Sequence, residues 1–258
     1  MEIVDTFFLV AFGLALGSFL NLTIDRLPRG ESLVRPQSHC DACSHRLGLG
    51  DLVPIASYLW LRGRCRYCRG PMSWRGPLVE VITAAGCGVI GYYYALTPAA
   101  AVLVLYLAAF IHLTFVNLEQ SLILNSVILT GLAIVLVTLP FSPLGESLSL
   151  GGTYLRSLSG AGVGFGIMLL IYLAAPGRMG AGDVKLAALL GVTLGFPHIL
   201  AALMVGLVCG AFVAFSLLVL KQRGRSDAVP LGPMLLGGAA SVMVTGTSVF
   251  DWYVRLFL

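Results

Sequence analysis

Apolar segments recur along almost the whole chain, and polar residues gather in short stretches between them. An α-helix needs about 20 apolar residues to cross roughly 30 Å of hydrocarbon, and somewhat shorter spans also occur. The pattern therefore predicts an all-α polytopic membrane protein with about eight transmembrane helices. The predicted helices cover residues 7–24, 77–96, 98–116, 122–140, 158–175, 184–194, 199–220 and 230–250.

Composition supports this prediction. Of the 258 residues, 58% are hydrophobic and only 11% are charged, whereas about a quarter of a soluble domain is charged. The mean hydropathy is +0.93, which excludes a soluble core of this size. The net charge of +4 reflects membrane topology, and we expect no nucleic-acid partner.

The distribution of charge predicts the orientation of the chain. Glu2 and Asp5 precede the first apolar segment, and Arg26 and Arg29 follow it. Because Lys and Arg accumulate in cytoplasmic loops, we expect a retained helix with its N-terminus outside. Residues 25–76 carry nine arginines and four acidic residues, so we expect them to be cytoplasmic. The predicted domains are 1–24, a first transmembrane helix; 25–76, a cytoplasmic domain; and 77–258, a transmembrane core.

Two CxxC motifs, 21 residues apart, lie in the polar segment: Cys40, Cys43, Cys65 and Cys68. Each offers two sulfurs from one tight turn, which suits tetrahedral zinc in a small zinc-ribbon-like domain. The separation is slightly longer than usual. Disulfides or redox activity are the alternatives, and a reducing cytoplasm disfavours structural disulfides. His39 and His45 flank the first motif as possible spare ligands.

An acidic residue behind paired glycines, Gly180-Ala181-Gly182-Asp183, separates two apolar segments. An ionisable side chain at membrane depth is costly unless it faces a polar cavity or a partner, so Asp183 is a candidate functional residue. Gly180 and Gly182 would let a peptide approach closely. The alternative is a tight turn in which Asp183 caps a helix. The predicted topology brings Asn117 to the same interface.

Glycines four residues apart predict close helix packing in lipid. Two such pairs, Gly160 with Gly164 and Gly162 with Gly166, lie in one predicted helix, and Gly206 with Gly210 forms a third pair.

Eight short motifs carry a resemblance to a known family. They are Gly17-Ser18-Phe19-Leu20-Asn21, Arg26-Leu27-Pro28, Gly30-Glu31-Ser32-Leu33, Ser38-His39-Cys40, Leu61-Arg62-Gly63-Arg64-Cys65-Arg66-Tyr67-Cys68, Pro77-Leu78-Val79-Glu80, Gly182-Asp183-Val184-Lys185-Leu186 and Pro230-Leu231-Gly232-Pro233. In this order they make the chain resemble the type IV prepilin peptidases, also called leader peptidase/N-methyltransferases. These are intramembrane aspartyl proteases of the GxGD kind.

The resemblance implies two catalytic aspartates at the cytoplasmic membrane edge. One maps onto Asp183, and the other position is occupied by Asn117. Leu124 stands where the family usually has proline. In an aspartyl pair one carboxylate activates water while the other, protonated, polarises the scissile carbonyl. Asparagine cannot exchange that proton, and Glu119 lies about 200° around a helix from Asn117. We therefore expect little or no cleavage.

Two interpretations of Asn117 are open. An aspartate-to-asparagine change keeps the shape of a site while removing its charge chemistry, as in an engineered inactivation, which we favour. The alternative is a natural pseudoenzyme, which agrees with Leu124.

The resemblance also implies the reaction. The substrate would be a type IV prepilin or a secretion pseudopilin, cut after a glycine that ends a short basic leader. The new N-terminus would then be methylated with S-adenosylmethionine, for which the sequence shows no binding signature of its own. The expected location is a bacterial inner membrane, with the active site at its cytoplasmic face.

Two other classes of function compete with this interpretation. Acids between broken membrane helices also bind coupling ions in transporters, with Glu80 as the other candidate, but no inverted repeat is visible. A non-catalytic scaffold for pilus or secretion assembly is compatible with Asn117. The sequence does not predict an oligomeric state.

Overall fold

The structure, a computed structural model, describes residues 2–35, 38–40, 42–120, 125–143, 149–174, 179–220 and 231–245. Within these ranges the regular structure is helical, and the only β-type pairings are two isolated bridges, His39 with Arg46 and Arg64 with Pro71. The predicted all-α class is therefore confirmed.

Nine α-helices lie in the described ranges. They are α1 (Glu2–Arg26), α2 (Ala56–Trp60), α3 (Arg75–Tyr94), α4 (Pro98–Gln120), α5 (Asn125–Thr138), α6 (Leu150–Ala174), α7 (Ala181–Leu194), α8 (His198–Val219) and α9 (Gly232–Thr245). Short 3-10 turns cover Leu27–Arg29, Leu49–Asp51 and Leu139–Phe141.

Four of these helices, α1, α4, α6 and α8, are long and apolar enough to cross a membrane. Each of the other predicted membrane segments also contains a helix, but α5 and α9 are apolar and short. The chain is thus a membrane protein by the length and composition of its helices. The count of about eight spans stays a prediction.

The chain divides into two compact units, Met1–His112 and Leu113–Leu258. In the first unit α1 and α3 run antiparallel with their backbones in close approach. A Cβ built on Gly13 would lie 2.8 Å from Ala84 Cα, and one on Gly17 would lie 2.6 Å from Glu80 Cα. Only glycine fits such a crossing, since real Cβ atoms do not come this close to backbone.

In the second unit α6 packs on α7 in the same way. A Cβ on Gly160 would lie 2.4 Å from Gly191 O, and one on Gly164 would lie 2.6 Å from Ala187 O. The predicted packing role is confirmed for this glycine pair. It is wrong for Gly162 and Gly166 as far as the described residues show, since none of their atoms lies within 4 Å of a Cβ built on either glycine.

The third antiparallel pair is α8 with α9. A Cβ on Gly238 would lie 2.3 Å from Ala202 O, and one on Gly206 would lie 2.9 Å from Leu235 Cα. Gly210, the other member of the predicted pair, faces the Leu231 side chain at 2.9 Å. Glycine contacts of this kind allow van der Waals and weak Cα–H···O contacts between helices in lipid.

Replacing one glycine of each pair on α6 tests this packing. We expect Gly160→Ala to lower the midpoint of thermal unfolding in detergent, because its methyl group meets the backbone of α7. An overpacked contact typically costs about 1–3 kcal/mol. The control is Gly162→Ala, whose methyl group meets open space and should leave the midpoint unchanged or raise it. Equal midpoints for the two variants would contradict the described α6–α7 contact.

Candidate metal centre and active site

The two CxxC motifs fold into turns with the same backbone hydrogen bonds. In each turn the first cysteine donates its N–H to the carbonyl five residues on and accepts from the N–H four residues on. The pairs are Cys40 with His45 and Ser44, and Cys65 with Gly70 and Arg69, at 2.8 to 3.0 Å. Ser44 and Arg69 both have positive φ, 55° and 57°. The repeat means that two equivalent knuckles face one site.

The four sulfurs converge. Their Sγ atoms all lie within 4.8 Å of one another, and Cys40 Sγ lies 3.8 Å from Cys68 Sγ. A zinc ion with sulfur ligands at about 2.3 Å in a tetrahedron requires sulfurs about 3.8 Å apart. The cluster comprises the four predicted cysteines and neither His39 nor His45. The ring of His45 instead contacts the ring of Tyr67, with centroids 3.7 Å apart.

Local hydrogen bonds shift the acidity of one of these thiols towards the thiolate, whereas the pKa of Cys43 is raised to about 12 beside the other thiols. Backbone N–H groups of Cys68 and Tyr67 lower the pKa of Cys65 to about 7. The thiolate is the form that binds metal. Asp51, a buried acid, accepts hydrogen bonds from the Gly48 N–H and the Tyr67 hydroxyl, and it also pairs with Arg66 at 2.8 Å. These contacts fix the linker between the knuckles to the second knuckle.

The Glu80 carboxylate is held by hydrogen bonds from the cysteine-containing segment and from α1. Its Oε2 accepts the Ile55 N–H at 2.7 Å, and its carboxylate also accepts a hydrogen bond from Ser18. Ile55 has φ of 57°, an unfavourable conformation for a β-branched residue. Sequence analysis missed this role, in which Glu80 ties the cysteine-containing segment to α3.

A charged contact links the two helices that flank the cysteine-containing segment. Arg75 Nη2 donates to both carboxylate oxygens of Asp25 at 2.8 Å, which joins the C-terminal end of α1 to the start of α3.

Asp183 occupies the third position of α7. Gly180 precedes the helix in an extended conformation, and the Asp183 N–H donates to its carbonyl at 3.1 Å. The Asp183 carboxylate accepts a hydrogen bond from the backbone of Gly180 in return, which is the reciprocal half of a capping box. Asp183 is thus not itself the N-cap residue, which is Gly180, but its carboxylate takes part in capping from the first turn of α7. However, the side chain is only 4% exposed, unlike an ordinary surface cap.

Asn117 lies in the last turn of α4 and is 5% exposed. Its Oδ1 is buried and has no hydrogen-bond partner among the described residues. An unsatisfied buried oxygen costs about 1–3 kcal/mol. Glu119, two residues on, is exposed, as its predicted rotation around the helix requires. Leu124 and the side chain of Asn125 lie outside the described part of the chain.

Gly232, the first residue of α9, brings the two candidate residues to one place. Its backbone hydrogen-bonds the Asp183 carboxylate. A Cβ built on it would lie 3.0 Å from Asn117 Cγ and 3.1 Å from Asn117 Oδ1. Side chains 66 positions apart in sequence therefore meet the same backbone unit. Gly180 is exposed beside this place and Gly182 is partly buried in the first turn of α7.

The membrane-length helices and the tetracysteine cluster together define a polytopic membrane protein with a segment able to hold a metal ion. Residues 103–215 match the model of the type IV leader peptidase family, and residues 11–94 match the bacterial peptidase A24 N-terminal domain. The chain belongs to the type IV leader peptidase family, the prepilin peptidases.

Relatives match over most of this chain. The prepilin leader peptidase/N-methyltransferase of Aeromonas hydrophila is 33% identical, with 96% of this chain and 93% of that protein covered. The protein of the same name in Bacillus subtilis (strain 168) is 26% identical, with 97% and 98% covered. That of Myxococcus xanthus (strain DK1622) is 35% identical, with 85% and 64% covered. No solved structure matches the chain significantly.

Metal analysis of purified protein tests the cysteine cluster. We expect about one zinc ion per chain and loss of most of it in Cys65→Ser, because three sulfurs bind zinc less tightly than four. Cys209→Ser is the matched control, since Cys209 lies on α8 outside the cluster and its loss should leave the metal content unchanged. Iron is measured in the same samples. Full zinc occupancy in Cys65→Ser would show that the metal binds elsewhere.

Proposed function

We propose that the protein is a leader peptidase of prepilins or pseudopilins whose cleavage site is formed by positions 117 and 183. The substrate's apolar helix would pack against the membrane helices from the lipid side. Its basic leader would then lie at the cytoplasmic edge, where it is cut after a glycine. The observation that carries this proposal is that Asn117 and Asp183 are both buried against the backbone of Gly232.

The chemistry of the pair follows from these positions. With aspartate at both, one carboxylate would take a proton from the attacking water while the protonated partner polarised the scissile carbonyl. In this chain Asp183 remains available as the base. Asn117 can donate or accept a hydrogen bond through its amide but cannot deliver a proton to the leaving amine. Cleavage is therefore disabled while the shape of the site is retained.

We further propose the domain roles that the family implies. Residues 25–76 would form a cytoplasmic zinc-stabilised domain between a first membrane helix, 1–24, and the peptidase core, 77–258. A segment of about fifty residues has too little core to fold well without such a staple. Zinc held by Cys40, Cys43, Cys65 and Cys68 would supply structural cross-linking. The location would be a bacterial inner membrane.

Methylation of the new N-terminus is the second activity we propose, with S-adenosylmethionine as the methyl donor. Support comes from the relatives, which are named N-methyltransferases as well as leader peptidases. The site of this reaction is not assigned to particular residues.

Asn117 favours one further candidate function. A protein that binds prepilin without cutting it would act as a scaffold in pilus or secretion assembly. Such a protein would keep the substrate-binding surface and would not need a second carboxylate at position 117.

A paired assay in membranes separates these functions. A prepilin with a basic leader ending in glycine is incubated with this protein and with its Asn117→Asp variant, and mass spectrometry scores loss of the leader and gain of a methyl group. We expect cleavage by the variant at a rate at least about a thousandfold above the unchanged chain, since loss of one member of a catalytic pair typically costs several orders of magnitude.

The control is the double variant Asn117→Asp/Asp183→Asn. It has a single carboxylate, at position 117 instead of 183, and should again be inactive. Cleavage by that double variant would contradict a two-aspartate mechanism. Absence of cleavage by folded, zinc-containing Asn117→Asp protein would favour the scaffold.

A further inference from the structure

We propose that Gly232 is a positioning residue of the peptidase site. Its N–H orients the Asp183 carboxylate, and the space left by its missing side chain holds residue 117 beside that carboxylate. This inference rests on the proposed function, because it assigns a role within the same pair. Sequence analysis listed Gly232 only as part of a motif and gave it no role.

The first turn of α9 leaves one N–H group for Asp183. Leu231 lies immediately before the helix, and its carbonyl accepts hydrogen bonds from the N–H groups of Met234 and Leu235, each at 3.0 Å. Pro233 has no N–H to donate. The Gly232 N–H is thus the free donor of this turn, and it is the one that hydrogen-bonds the Asp183 carboxylate.

The space beside Gly232 explains why the residue is glycine. Its φ is not in the left-handed region, so its backbone conformation does not require glycine. A Cβ would instead lie 3.0, 3.1 and 3.2 Å from Cγ, Oδ1 and Nδ2 of Asn117. These distances are shorter than about nine in ten real Cβ contacts. The side chain of residue 117 would have to move by a few tenths of an ångström to admit it.

A second, independent observation marks this place as a site and not only as a helix end. Asn117 Oδ1 is buried without a partner among the residues that the structure describes, and it lies against Gly232. A buried oxygen without a hydrogen bond lowers the stability of the fold, so stability alone does not explain why this oxygen is there. An aspartate of the same shape would place a carboxyl oxygen at that position.

Each residue of the motif Leu231-Gly232-Pro233 has a separate structural role. Leu231 supplies the carbonyl that starts α9, and its side chain packs on Gly210 of α8. Gly232 supplies the donor and the space. Pro233 fits the first turn of a helix and adds no competing donor.

Catalytic assays of alanine variants in the Asn117→Asp background test the proposal. We expect Gly232→Ala to lower kcat by about 10- to 100-fold, since misplacing a catalytic group by less than 1 Å has effects of this size. KM should stay within about twofold, because in the proposed function the substrate's apolar helix supplies most of its binding. The matched control is Gly237→Ala on the same helix, where a Cβ meets no atom within 4 Å and kcat should not change.

The variant Gly238→Ala serves as a comparison for a general packing defect. Its added Cβ would lie 2.3 Å from Ala202 O in the α8 backbone. That variant should unfold at a lower temperature. For Gly232→Ala the decrease in kcat should be measured at a temperature where the protein remains folded. Equal kcat for the Gly232→Ala and Gly237→Ala proteins would overturn the inference. Absence of cleavage by Asn117→Asp itself would overturn the proposed function instead.

A thermodynamic cycle tests the contact without any activity. Gly232→Ala should lower the unfolding midpoint in the chain with Asn117, and it should lower it less in a chain with Asn117→Ala, where the space has been vacated. The expected difference is still seen if the Gly232→Ala chain with Asn117 does not fold, provided that the double variant Gly232→Ala/Asn117→Ala folds. Additive effects, or failure of both chains to fold, would show that residue 117 is not the partner of Gly232.

Discussion

Close approach between helix backbones is the constraint on which the rest of this structure depends. In lipid the hydrophobic effect does not drive helices together, so their association relies on contact over a close-packed surface. Three antiparallel pairs achieve this contact through glycine: α1 with α3, α6 with α7, and α8 with α9. The positions of Asp183 on α7 and Gly232 on α9 are set by the last two pairs. Backbone packing therefore determines the geometry of the candidate active site.

The cysteine-containing segment is organised by a different principle. Its described residues form two isolated bridges, one short α-helix and two 3-10 turns, which provide little regular hydrogen bonding. Two identical knuckles and an Asp51-centred network bring four thiols together instead. Attachment to the membrane helices is through Glu80 and Ile55. A buried acid thus serves as a structural link in one unit, whereas the buried Asp183 in the other unit lies in the proposed cleavage site.

The helical class and the cysteine cluster could be predicted because each leaves a local signal in residue type and spacing, whereas the candidate pair was predicted from the family resemblance and the topology. The sequence could not distinguish Gly160 and Gly164 from Gly162 and Gly166, since both pairs have the same interval and only the rotation of α6 decides which faces α7. It could not predict the hydrogen bond between Glu80 and the Ile55 N–H, because that N–H comes from an irregular segment. The span count is open because α5, α7 and α9 have only 14 residues each.

The contribution of α9 to the site has a consequence for biosynthesis. Residues 117, 183 and 232 come from three helices that leave the ribosome in order, and the contacts of Gly232 exist only after α9 has been made and inserted. A nascent chain that ends before α9 contains both members of the candidate pair, yet it lacks the backbone unit against which they lie. If the proposed site is correct, it would be completed only late in synthesis, after α9 has been inserted.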